Sequence, residues 1–190
     1  METFLISAGV VALGEIGDKT QLLSMLLAAR YRKPWPIIAG ILAATLCNHT
    51  LAGVVGAWVR SVVPDDILRW LVAISFFAVA LWALKPDTLE PDAAPQRSNH
   101  GVFWVTTVTF FLAEMGDKTQ VATAILASRF ASLGWVIAGT TAGMLLVDVP
   151  TVLFAGFAAR KIPFKAVRIA AAVIFVVLGV TALWTPLPPR

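Results

Sequence analysis

Glu15-Ile-Gly-Asp-Lys-Thr-Gln21 sits inside an apolar stretch, and the string returns as Glu114-Met-Gly-Asp-Lys-Thr-Gln120, six identities in seven, at a shift of 99 residues. The same shift lays Arg30 on Arg129 and Ile38-Ala-Gly40 on Ile137-Ala-Gly139 without a gap, and about 15 positions in 48 agree over residues 13–60. Similarity between apolar segments can arise by chance, but a repeated string of acids, lysine, threonine and glutamine cannot be explained that way. The chain is therefore an internal duplication, and its polar exceptions are the part that was kept.

The surroundings of the two strings decide the solvent. Hydrophobic residues make up 58% of the 190, and Asp, Glu, Lys and Arg only 14%. A soluble domain is nearer 25% charged, and a chain this short could not hide so much apolar side chain from water. Six apolar runs, 4–29, 36–59, 67–84, 102–128, 133–158 and 163–184, approach or exceed the ~20 residues that cross a bilayer as a helix. Prolines and basic residues mark their ends, and all seven tryptophans fall near an end, as an aromatic belt requires. The predicted fold is an all-α integral membrane protein of six transmembrane helices.

Residues 85–100 read as a linker, with prolines and alternating charges among small residues. It separates a first three-helix repeat (1–84) from a second (101–190). Three spans is an odd number, so the second copy enters from the opposite face. The two copies then form inverted-topology repeats, and transporters built this way place their site near the midplane at the repeat interface.

Lysine and arginine set the orientation. One side receives Arg30, Arg32, Lys33, Lys85, Arg97, Arg160, Lys161, Lys165 and Arg168; the other receives Arg60, Arg69, Arg129 and Arg190. The richer side is cytoplasmic, so both termini are expected outside and the linker inside. The basic balance of +4 is not a nucleic-acid signature, because no basic stripe with interleaved aromatics accompanies it. The single cysteine, Cys47, excludes a disulfide framework.

Apart from Arg69, Lys165 and Arg168 near the starts of their runs, seven charges lie inside the runs: Glu15, Asp18, Lys19, Glu114, Asp117, Lys118 and Asp148. Intramembrane charges are costly and read first as function. On a continuous helix Glu15 and Asp18 lie one turn apart on one face with Gln21 nearby, and Glu114, Asp117 and Gln120 repeat the set. Gly17 and Gly116 would admit a neighbouring backbone. Asp148 falls opposite His49 under the 99-residue shift, and Asn48 opposite Val147. Carboxylates and amides without thiolates suit a hard divalent cation such as Mn²⁺ or Ca²⁺. The expected metal set is Glu15, Asp18, Glu114, Asp117, Gln21, Gln120 and Asp148.

Coupling or gating falls to His49, Asn48, Lys19, Lys118, Thr20 and Thr119. The lysines are expected to pair with Asp18, Asp117 or Asp148, and the threonines to bond back to their own helix. His49 is either a proton acceptor or a softer ligand favouring Mn²⁺. The seven charges sum to net −3; one divalent cation or two protons each bring that to −1, the condition for exchanging one for the other.

The duplicated Glu-φ-Gly-Asp-Lys-Thr string on the first and fourth runs resembles the Gdt-one family of Mn²⁺/Ca²⁺–proton exchangers over essentially the whole chain. That resemblance implies that Glu15, Asp18, Glu114 and Asp117 bind the cation. It further implies a bacterial member in the cytoplasmic (inner) membrane, of manganese-exporter type, with no resident cofactor and H⁺ as the coupling ion. The expected partners are the cation and the lipid bilayer; a homodimer is compatible with the lipid-facing surface. The rival in the same class is a Ca²⁺/H⁺ antiporter. The rival from another class is an intramembrane metal-dependent lipid-pyrophosphate phosphatase, which would need more cations for phosphate than the two lysines deep within the runs.

Overall fold

The computed structural model describes residues 1–86, 101–154 and 164–188. Among them the chain is all-helical, with eight helices: α1 (Glu2–Glu15), α2 (Lys19–Tyr31), α3 (Pro34–Val62), α4 (Asp65–Ala83), α5 (Val102–Glu114), α6 (Lys118–Arg129), α7 (Leu133–Leu153) and α8 (Phe164–Trp184). The linker expected at 85–100 lies outside the described residues beyond Pro86, as does the stretch 155–163 expected to complete the fifth run.

Four helices, α3, α4, α7 and α8, are long and apolar enough to cross a membrane. The longest, α3, has 29 residues and extends about 44 Å. The first and fourth expected spans are not continuous helices. Each is split at the acidic string, so the expectation that Glu15 and Asp18 share one helical face is corrected.

The reason is local. Ile16 (φ −64°, ψ 115°) and Gly17 (φ 83°) follow α1, and the Asp18 N–H donates to the Glu15 carbonyl at 3.0 Å. That is a type II turn, whose third position takes a positive φ and so favours glycine. Met115 (φ −61°, ψ 117°), Gly116 (φ 74°) and the Asp117 N–H on the Glu114 carbonyl, also 3.0 Å, repeat it. Gly116 has nothing within 4 Å of where a Cβ would stand, so its role is conformational and not the close approach expected.

The duplication is visible in the helix register. α2 and α6, α3 and α7, and α4 and α8 start at positions separated by the same 99 residues. Packing follows suit: α1 lies on α7 as α5 lies on α3, α2 on α7 as α6 on α3, and α3 crosses α7. Two glycines show how close the correspondence is. A Cβ on Gly40 would meet the Phe103 carbonyl at 2.8 Å and the Thr106 Cβ at 2.7 Å; one on Gly139 would meet the Phe4 carbonyl at 2.5 Å and the Ser7 Cβ at 2.9 Å. These four partners are themselves 99 residues apart, so small residues bring equivalent backbones together in both halves.

The distribution of polarity is the reverse of a water-soluble domain. Glu15, Asp18, Glu114, Asp148, His49 and Asn48 are fully buried, while leucine, valine, isoleucine and all seven tryptophans stand exposed. Exposed apolar surface on this scale calls for lipid, not water.

Candidate cation site

Both breaks bring a carboxylate to the end of one helix and another to the start of the next. Asp18 caps α2 and Asp117 caps α6, each accepting the N–H two residues on, Thr20 and Thr119, at 3.4 Å. Aspartate is favoured there because its oxygen satisfies an orphan N–H and its charge meets the positive helix end. Gln21 and Gln120 reinforce the turns: their amide oxygens accept from the N–H of Gly17 (2.8 Å) and Gly116 (2.7 Å). Their amide nitrogens donate to Thr151 on α7 (3.2 Å) and to Asn48 on α3 (3.4 Å). Asn48 in turn donates to the Phe111 carbonyl at 3.1 Å, tying α3 to the last turn of α5.

The threonines do not bond back to their own helix backbone; that expectation is corrected. The Thr20 hydroxyl donates to Glu15 and stands 3.2 Å from Asp18, while Thr119 donates to Glu114 at 2.8 Å and stands 3.4 Å from Asp117. The reversal follows from the break, which folds Glu15 over the first turn of α2, where Thr20 can reach it.

Each lysine crosses to the other repeat. Lys118 pairs with Asp18, and Lys19 with Asp117 at 3.1 Å. Asp148, the third acid weighed as a lysine partner, takes neither. The two pairs differ in shelter: the Lys118 side chain is 4% exposed and that of Lys19 26%.

Glu15, Asp18 and Glu114 form one buried group, with one oxygen of each lying within 4.8 Å of the others. Asp148 reaches this group electrostatically, acting on both glutamates. Among the described residues, Glu15 Oε2 and Glu114 Oε1 accept no hydrogen bond, and Asp148 faces the Ser24 hydroxyl of α2 without a hydrogen bond of ordinary length. Buried polar atoms are almost always paired, so carboxylate oxygens left short of donors here are unusual. Asp117 is outside the three-residue group. His49 is buried on α3 with neither ring nitrogen hydrogen-bonded, and it is not a member either.

Sequence reasoning missed two residues. Thr151, one turn beyond Asp148, holds Gln21. Arg60, read as a mere span end, is buried with 8% exposure in the last turn of α3. A threonine one turn from an intramembrane acid was a readable signal; the burial of Arg60 was not, because it depends on α6.

Comparison with known proteins decides the class. Residues 3–91 and 102–188 match the family described as divalent cation/proton antiporter GDT1, the Gdt-one family of the resemblance. The chain belongs to this GDT1 family. It is thus a membrane transporter and not an enzyme, which sets the phosphatase reading aside. It is similar to a Vibrio cholerae protein named as a proposed manganese exporter, at 49% identity over 94% of this chain and 89% of that one. It is also similar to a GDT1-like protein of Synechocystis (25% identity, 93% of this chain and 94% of that one). A further relative is GDT1-like protein 5 of Arabidopsis thaliana (24%, with 98% and 97% covered). No solved structure matches the chain.

Proposed function

We propose that this GDT1 chain exports Mn²⁺ from the bacterial cytoplasm across the inner membrane, driven by protons moving inward. In this reading α1–α2 and α5–α6 are two interrupted spans, making six with α3, α4, α7 and α8. The halves 1–84 and 101–190 are inverted repeats, with both termini outside and the linker in the cytoplasm. The exchange of equivalent packing partners between the halves supports the symmetry. The site lies between the two breaks, where the carbonyl ends of α1 and α5 add negative potential for a cation.

The observation that carries the reading is the buried group of Glu15, Asp18 and Glu114, in which Glu15 Oε2 and Glu114 Oε1 accept no hydrogen bond. With Lys118 on Asp18 and Lys19 on Asp117, the two pairs cancel and three unpaired acids remain. One divalent cation or two protons reduces three negatives to one. The ligand set is Glu15, Asp18, Glu114 and Asp148, with Gln21, Gln120 and Asp117 contributing as the caps rearrange. Asn48, Lys19, Lys118, Thr20 and Thr119 hold the turns, and His49 supplies a further proton acceptor on α3. An all-oxygen set with one imidazole in reserve, in a chain half identical to the Vibrio cholerae protein, favours Mn²⁺ over Ca²⁺.

The test is reconstitution in sealed vesicles. A pH gradient should drive Mn²⁺ movement against its own gradient, and Ca²⁺ should compete weakly. Folded protein that moves neither ion defeats the proposal; Ca²⁺ moved in preference to Mn²⁺ would overturn the selectivity and keep the mechanism.

A further inference from the structure

Among the described residues, the second helix of the second half is held in a way that the first half does not show. α6 is clasped at its C-terminal end. A Cβ on Gly56 of α3 would collide with the Ala124 carbonyl of α6 and stand 3.0 Å from the Ala127 Cβ, so the two helices are in backbone contact. One turn further on, Arg60 donates through Nη1 to the carbonyls of Ser128 and Arg129, both at 3.1 Å. These belong to the last turn of α6, where helix carbonyls lack intrahelical partners. Through Nη2 it donates to the Pro188 carbonyl in the tail beyond α8. Arg129 binds the same tail, donating to the Pro186 carbonyl at 3.2 Å, the Thr185 carbonyl at 3.4 Å and the Thr185 hydroxyl. Guanidinium suits this work, since its fixed fork reaches several acceptors at once.

At the equivalent end of α2 no such bond is present among the described residues. Arg30, the counterpart of Arg129, is exposed and makes no hydrogen bond or ion pair among the described residues. The counterpart of Arg60 in sequence is Ala159, which has no side-chain donor. α4 packs on α6 in addition to α3, and α6 buries most of its length.

We propose that Arg60 is a positioning residue. It latches the C-terminal end of α6 to α3 and to the tail 185–188, and so shuts the path between the carboxylate group and that end of the molecule. This rests on the transport reading. A cation entering or leaving by that end requires the three Arg60 bonds to carbonyl oxygen to part. Each is individually modest, so together they suit a closure that opens once per cycle. Two guanidinium groups at the shut end also oppose the passage of a divalent cation.

Ser128 reports the state of the latch. It is buried, and its hydroxyl only bonds back to Ile125 of its own helix, so cysteine is tolerated there. The experiment places Ser128→Cys in a Cys47→Ala background and follows labelling by a membrane-impermeant maleimide in inside-out and right-side-out vesicles. With Arg60 intact, Cys at 128 should label slowly from both faces. Arg60→Ala should raise the rate at least about tenfold from one face only. Arg60→Lys, with one ammonium in place of the fork, should give a smaller rise, and so should removal of residues 186–190. These two milder variants decide the matter if Arg60→Ala fails to fold.

Labelling at the parent rate in the folded variants overturns the latch, as does rapid labelling while Arg60 is present. Labelling does not depend on flux. A protein that moves no Mn²⁺ but shows Arg60-dependent labelling removes the transport reading alone; one that transports with Arg60-independent labelling removes the latch alone.

Discussion

The Lys118 ammonium pairs with the Asp18 carboxylate across the repeat interface, while its counterpart Lys19 reaches back to Asp117 at 3.1 Å. Each helix cap is thus neutralised by the helix start of the other half. The pairing means that each repeat supplies a countercharge for the other's cap. Because Lys118 is the more buried of the two, Lys118→Met should destabilise the protein by about 3–5 kcal/mol, the cost of leaving a buried charge without its partner. Lys19→Met should cost less, since water reaches Lys19. Thermal unfolding in detergent checks the ranking, and Lys118→Met with Asp18→Asn should recover most of the loss. The reverse order would show that shelter is not what distinguishes the pairs.

Glu15→Gln, Glu114→Gln and Asp148→Asn should each abolish Mn²⁺ flux in vesicles while leaving the melting temperature unchanged or raised. A buried carboxylate with a bare oxygen is a liability to folding, kept for its function. If these acids were packing glue instead, neutralising them would lower the melting temperature and spare the flux.

Protons and the cation use the same oxygens, so Mn²⁺ binding should weaken as pH falls. Where two protons are displaced per cation, the apparent dissociation constant rises about a hundredfold for each pH unit lost. A slope of tenfold per unit would reduce the exchange to one proton and contradict the charge balance of three unpaired acids.

Gly116→Ala should cost about 1–2 kcal/mol through its positive φ alone, because a methyl group there meets nothing within 4 Å. Gly116→Asn should cost less, asparagine tolerating that conformation. Flux should fall with either, since the turn sets Glu114 against Asp117. Equal and negligible effects in unfolding and in flux would show that the turn does not need its left-handed residue.

Gly40→Ala and Gly139→Ala should destabilise to a similar degree, about 1–3 kcal/mol each, because both force a methyl against a carbonyl and a Cβ of the helix from the other half. Unequal losses would show that the matching contacts do not bear equal weight.

Much of this molecule was legible in one dimension. A repeated Glu-x-Gly-Asp-Lys-Thr string in apolar surroundings marks the duplication, the membrane solvent and the acids that must leave water, because an intramembrane charge is costly. Even the helix break was written there: glycine before aspartate after a two-residue run is the sequence of a type II turn that ends in a cap. Apolar periodicity hid it, since hydropathy is blind to a turn whose flanks are both apolar and helical.

What the sequence could not supply is which partners meet. That Lys118 answers Asp18 and Lys19 answers Asp117, and that Thr20 donates to Glu15, depends on two helix starts facing each other across the interface. That Arg60 is buried against the end of α6, while Arg30 is exposed and makes no hydrogen bond or ion pair among the described residues, depends on packing. Composition and spacing determine which groups must leave water; only the tertiary arrangement decides which of them are then satisfied by one another and which, like Glu15 Oε2 and Glu114 Oε1, are left without a donor.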